Sequence, residues 1–170
     1  MIGELVMVAA HDRPAGFWLD VWERLLAEST AGAVFCDGSV ESGADFVEMM
    51  SAGHVHPFVV FCGGDLGAIV WLTNLEGRMC RGHFCVMKKY WGVSRYFGEH
   101  VLTTLLSQKY ENGTYCFDVI VGMIPKINIR AINVAKKSGF VYSGVIPSGA
   151  WIKERGMSVD MVVLSATREV

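Results

Sequence analysis

The strongest constraint on how this chain folds is a three-part run: apolar residues 84–87, the stretch Trp91-Gly92-Val93-Ser94-Arg95-Tyr96-Phe97-Gly98, and residues 99–110. The first part has the length of a strand, and the last repeats Val101, Leu102, Leu105 and Leu106 at helical spacing. A strand, a glycine-bearing turn and a helix in that order leave backbone N–H groups unpaired at the first helical turn. There the macrodipole adds about half a positive charge. Such a terminus receives anions, phosphates above all. A plainer reading also stands, in which Gly92 and Gly98 only let the chain turn.

The flanking segments supply the rest of an α/β architecture. Residues 4–10 have strand length, and Pro14 precedes Phe17, Trp18, Val21, Trp22, Leu25 and Leu26, an amphipathic helix whose aromatic residues suit a core. Residues 31–40 are turn-rich, and Ser42 caps a second helix running to Ser51. Residues 58–62 and 66–73 flank Gly63-Gly64-Asp65 as a hairpin, and residues 78–88 return after Asn74-Leu75-Glu76-Gly77 to complete an antiparallel meander. After the helix of residues 99–110, ended by Asn112-Gly113, residues 115–121 form a strand. It is reached by a helical crossover and so runs parallel to the meander's third strand. Pro125 precedes a helix over 126–137 that Gly139 stops, and strands at 141–146 and 159–165 follow.

Composition narrows the function. A length of 170 residues suits one domain, 1–170, burying about two-thirds of the unfolded surface. The formal net charge is -2, and Lys88-Lys89 and Lys136-Lys137 are isolated pairs, so no basic stripe announces a nucleic-acid partner. Five cysteines, an odd number with no C-x-x-C pair, argue against a zinc site and suit reduced thiols in a cytoplasm. His54-Val55-His56 lacks neighbouring carboxylates or thiolates, so no metal is expected. No basic region precedes the first apolar run, and no apolar stretch reaches the ~18 residues of a bilayer span. The expectation is a cytoplasmic protein with no membrane partner.

The segment Asn128-Ile129-Arg130-Ala131-Ile132-Asn133-Val134-Ala135-Lys136-Lys137-Ser138-Gly139-Phe140 resembles the Asn-x-x-Ala/Ser…Gly-Phe signature of the GCN5-related N-acetyltransferase (GNAT) superfamily. The order of elements agrees with that family from about residue 5 to residue 164. The tail Gly139-Phe140-Val141-Tyr142-Ser143-Gly144, with Arg155-Gly156 and Asp160-Met161-Val162-Val163, is similar to the branch that acetylates protein α-amino groups, including those of ribosomal proteins. A weaker likeness extends to GNAT-like tailed-phage head-assembly proteins. The resemblance implies a GNAT fold, a mixed and mostly antiparallel sheet of about seven strands with about four helices.

It further implies acetyl-CoA as co-substrate, an amine acceptor as partner, and a homodimer as one assembly open to the chain. The family's phosphate turn, Arg/Gln-x-x-Gly-x-Gly/Ala, places Val93, Ser94, Arg95, Tyr96, Phe97 and Gly98 at the coenzyme diphosphate. Gly98 matches the final glycine, while Val93 and Tyr96 replace the first residue and the middle glycine; Arg95 either bonds phosphate or is a solvated loop residue. Asn128 bonds the coenzyme or the backbone lining it, and Val86 with Met87 lies along the pantetheine arm. That arm enters where the strand of Cys85-Val86-Met87 splays from the strand of Ile120-Val121-Gly122, with the Val86 N–H or its neighbour as oxyanion donor. Trp91 reads equally as core or as a lid over the coenzyme.

Ala135 stands where many relatives carry a tyrosine that protonates the departing thiolate. The base candidates are His83 first, for its ordinary pKa of ~6.5, then Glu99, Asp118 and Glu48. Neutralising a lysine amine at pH 7 costs ~4.6 kcal/mol against ~1 kcal/mol for an α-amine, which favours the α-amine at a site without an evident strong base. Three functions are carried forward: an N-acetyltransferase, a catalytically degraded binding or assembly protein, and an acyl-CoA sensor without turnover.

Overall fold

The computed structural model describes residues 3–168. Its strands are β1 Leu5–Ala9, β2 His56–Cys62, β3 Asp65–Glu76, β4 Met79–Val86, β5 Val119–Pro125, β6 Val141–Ile152 and β7 Met157–Thr167. They form one sheet in the order β1-β2-β3-β4-β5-β7-β6. Only β4 and β5 pair in parallel, so the sheet is mixed and mostly antiparallel, as expected.

Among the described residues five α-helices cover the sheet: α1 Ala15–Ala27, α2 Ala31–Val34, α3 Gly43–Ser51, α4 Ser94–Ser107 and α5 Ile129–Lys137. The single turn α2 is the addition to the four expected. Alternate strand residues face opposite sides. Val59, Ile69, Trp71 and Cys85 pack with Trp18, Trp22 and Leu25 of α1 and Phe46 of α3. Val60, Ala68, Val70 and Val86 pack with Phe97, Val101 and Leu105 of α4, and Ile132 of α5 covers Val162 and Leu164 of β7. At α3 the Ser42 side chain accepts from the Asp45 N–H while Asp45 accepts from the Ser42 N–H, a complete capping box.

Several boundaries differ from the sequence reading. β3 runs on through Asn74-Leu75-Glu76, which had the composition of a turn. β4 ends at Val86, because Met87 caps a 3-10 turn, Lys88–Val93, that leads straight into α4. β5 lies four residues later than expected, since the partner of β4's first residue Met79 is Val119, not Tyr115. Pro125 is its last residue. Asn128 is the N-cap of α5, so that helix begins at Ile129. β6 and β7 each extend beyond their expected ends.

The start of α4 at Ser94 moves Gly98 from the turn into the helix. A Cβ on Gly98 would overlap the Ser138 hydroxyl and lie 2.6 Å from the Ser138 Cβ. Its lack of a side chain lets α4 approach the C-cap of α5, so Gly98 sits within the helix rather than in the turn before it. Gly98→Ala should therefore destabilise the fold by about 1–3 kcal/mol in urea unfolding. Adding Ser138→Gly should recover much of that loss; a neutral Gly98→Ala would contradict the packing role.

Candidate functional site

β4 and β5 share only three pairs, Met79↔Val119, Cys80↔Ile120 and Arg81↔Val121. Beyond them each strand stays with its outer neighbour. β4 follows β3 to Ala68↔Val86, and the Met87 N–H donates to the Gly67 carbonyl at 2.8 Å. β5 follows β7 to Pro125↔Met161, and the Lys126 N–H donates to the Asp160 carbonyl at 2.8 Å. The two strands consequently part. The cleft between them has a volume of about 460 Å³ and is lined by Gly82 to Val86, Gly122 to Pro125, and residues of α4 and α5. This splay is where the sequence placed it, although its β5 side is Gly122 to Pro125 rather than Ile120 to Gly122.

The ladder fixes which backbone groups face the cleft. The Met87–Gly67 bond sets Cys85↔Ile69 and His83↔Trp71 as hydrogen-bonded pairs. Alternation then turns the N–H and C=O of Gly82, Phe84 and Val86 away from β3 and toward the gap. The Val86 carbonyl accepts the Trp91 indole N–H at 3.0 Å, and the Val86 N–H points inward. On the opposite lip the same argument turns Met123 and Pro125 inward. Pro125 has no N–H to leave unpaired, and its carbonyl accepts the Asn128 N–H at 2.8 Å.

Among the candidate bases, His83 alone lines the cleft. It terminates an aromatic column: Phe35 stacks on Trp71 with centroids 5.9 Å apart, and Trp71 on His83 at 5.0 Å with planes 4° apart. Its Nε2 lies 3.0 Å from the Thr73 hydroxyl oxygen. Burial, with help from the Arg81 charge, lowers the His83 pKa from 6.5 to about 4, so the ring is neutral at pH 7. Asp118 instead binds Arg168 and Arg78 at 2.9 and 2.7 Å, and Arg168 leads in holding its carboxyl below the usual range. Glu99 pairs with Arg95 at 3.2 Å. Neither they nor Glu48 line the cleft.

The other expected site residues divide. Ser94, Gly98, Asn128 and Val86 line the cleft, as does Ala135. Met87 and Phe97 are fully buried in the core. Arg95 and Tyr96 turn outward, with the guanidinium 4.9 Å above the Tyr96 ring, and Val93 closes the 3-10 turn. The Asn128 side-chain oxygen accepts from the Ala131 N–H at 3.1 Å, so it caps its own helix. Trp91 proves to be a cleft wall. Arg130, missed in the sequence, also lines the cleft, with its guanidinium carbon 4.1 Å from the Trp91 ring centroid. Its place two residues after Asn128 was the available signal, but only the fold shows what it faces.

Among the described residues no three His, Cys, Asp or Glu side chains gather as metal ligands, and no helix is long and apolar enough to cross a membrane. No protein-family model matches the chain, and no curated protein matches it. Solved structures do. An acetyl transferase from Salmonella typhimurium that modifies the N-terminal serine of 50S ribosomal subunit protein L7/L12 superposes with a TM-score of 0.79 at 12% identity, over 97% of this chain and 95% of that one. A GNAT-family acetyltransferase from Streptococcus pneumoniae gives 0.67 at 16%, over 98% and 100%. The microcin C7 self-immunity acetyltransferase, solved with acetyl-CoA and AMP, gives 0.74 at 11%, over 97% and 93%. The chain has the GNAT fold.

The environment of His83 sets a pH dependence. Between pH 6.5 and about 4 the unfolded histidine binds a proton that the folded one does not, so stability is full above 6.5 and is lost as pH falls toward 4. The lowered carboxyls of Asp65, Asp118 and Asp160 act below their ordinary value of 3.8, outside that window. Urea unfolding of His83→Gln at pH 7 and pH 4.5 should show a smaller loss than wild type; an equal loss would contradict the buried neutral ring.

Proposed function

We propose that the chain is an acetyl-CoA-dependent N-acetyltransferase that moves the acetyl group from the coenzyme thioester to a primary amine. The observation that carries this reading is the open β4–β5 gap, whose lip turns the Val86 N–H into the cleft. In it a pantetheine arm takes the place of the missing strand neighbour, its amides bonding the inward backbone of Phe84 and Met123. The thioester carbonyl then meets the Val86 N–H, which bonds the oxygen more strongly as negative charge develops on it. The amine nitrogen attacks the carbonyl carbon, the C–S bond breaks, and the thiolate takes up a proton to leave as the free thiol.

Ala135 supplies no proton, so the proton comes from the attacking amine or from water. His83, with a pKa of about 4, can accept a hydrogen bond from the amine but is a weak base. The acceptor must therefore arrive neutral, which costs ~1 kcal/mol for an α-amine and ~4.6 kcal/mol for a lysine. This favours a protein or peptide α-amino group. A second chamber of about 420 Å³, with Ser29, Cys36, Glu154 and Arg155 on its wall, shares Ala33, Pro125 and Asn128 with the cleft and gives the acceptor its route. The same two features, Ala135 and the weakly basic His83, favour as second reading a protein that binds an acyl-CoA without turnover.

Calorimetric titration with acetyl-CoA and a thiol-release assay over peptide amines separate these readings. Binding with thiol release supports the transferase, and binding alone supports the sensor. No binding would contradict both and leave the assembly reading. Val86→Pro removes the inward N–H where no ladder bond is lost, and should lower turnover about 10²–10³-fold with acetyl-CoA affinity little changed. Unchanged turnover would contradict the oxyanion role.

A further inference from the structure

We propose that Arg130, presented by the indole of Trp91 and assisted by Lys88, grips the diphosphate of the coenzyme in place of glycine-turn amides. The proposal rests on the coenzyme reading above and concerns how this chain achieves it.

Two amides of the turn before α4 are already spent within it. Its 3-10 geometry uses the Tyr90 N–H on the Met87 carbonyl at 2.8 Å and the Ser94 N–H on the Trp91 carbonyl. Gly98, the glycine inside the first turns of α4, is held against Ser138. A turn wound this tightly exposes less backbone to an anion than an open glycine loop does.

The nearby cations are not equivalent. Arg95 is neutralised by Glu99 at 3.2 Å, Lys89 by Asp65 at 2.9 Å and Lys126 by Asp160 at 3.0 Å. Among the described residues, neither the Arg130 guanidinium nor the Lys88 Nζ has a carboxylate within 4.0 Å, although the Lys88 backbone N–H donates to the Glu28 carboxylate at 2.6 Å. Both lie over the same ring: the Arg130 guanidinium carbon is 4.1 Å and the Lys88 Nζ 5.7 Å from the Trp91 centroid.

Trp91 is itself fixed, through its indole N–H on the Val86 carbonyl. That bond ties the cation cluster to the strand carrying the proposed oxyanion donor, so one side chain relates both ends of an extended ligand. A guanidinium stacked by its face keeps its in-plane N–H donors for a pair of phosphate oxygens, which a flexible lysine cannot match. The Arg130 charge at the cleft wall, with the Lys88 ammonium near the same ring, suits the negative charge of a diphosphate.

The test is calorimetric titration of the full chain with acetyl-CoA, acetyl-dephospho-CoA, which lacks only the 3′-phosphate, and acetyl-pantetheine, which lacks both the diphosphate and the nucleoside. Arg130→Ala should weaken both nucleotide ligands about ten- to a hundredfold and leave acetyl-pantetheine within twofold. Arg130→Lys, which keeps the charge and the fold, should lose less, and Lys88→Ala less than Arg130→Ala. Lys109→Ala removes a ring-stacked cation that lies 4.5 Å over Tyr115, outside the cleft lining, and should change none of the three. A loss confined to acetyl-CoA would move Arg130 to the 3′-phosphate and overturn the assignment. Equal loss for acetyl-pantetheine, or no loss at all, would also overturn it. Wild-type protein that bound none of the ligands would overturn the coenzyme reading itself.

Discussion

Past Arg81 and Val121 the backbones of β4 and β5 no longer have each other to bond, and most of the molecule arranges itself around that interruption. A backbone group buried without a partner costs about 1–3 kcal/mol, so a sheet opened at its centre needs compensation on both lips. One lip has the Trp91 indole on the Val86 carbonyl; the other has the Asn128 N–H on Pro125, a residue with no donor to leave unpaired. The outer ladders, β3 on β4 and β5 on β7, keep each strand straight while the two diverge. What remains facing the gap is backbone suited to an extended ligand with amides of its own.

The core reaches this gap by a continuous aromatic path. Trp22 of α1 lies 6.0 Å from Phe35, Phe35 stacks on Trp71, and Trp71 on His83. His83 is consequently held by its stacking, half-buried and neutral. Those properties suit orientation of a neutral amine more than storage of a proton, and they place the acid–base demand of the reaction on the acceptor. The same neutrality makes the fold sensitive to mild acid.

Much of the architecture was legible because local signals agreed with the tertiary need. The period of α1, the Ser42 cap and the glycine turn between β2 and β3 each sit where the residues said. The misplacements have a common cause, which is that an apolar run becomes a strand only where a partner exists. Tyr115-Cys116-Phe117 looks like the start of β5, but β4 offers a partner only from Val119, after the Asp118 carboxylate is tied to Arg78 and Arg168. Gly98 looked like a turn and is a helix contact, because nothing in the sequence places Ser138 against it. For the cleft, the parting of β4 from β5 followed from the family resemblance and is present in the structure. Arg130 was not legible, since its meaning comes from Trp91, distant in sequence and near only in the fold.

Amide hydrogen exchange at Phe84, Val86 and Met123 tests the open gap most directly. With β4 and β5 parted and no ligand bound, these three should exchange much faster than Cys85, which the β3 ladder protects, and should become protected when acetyl-CoA is added. Protection of all three as strong as that of Cys85 in the free protein, unchanged by acetyl-CoA, would mean that the strands are paired throughout, and the account would fail.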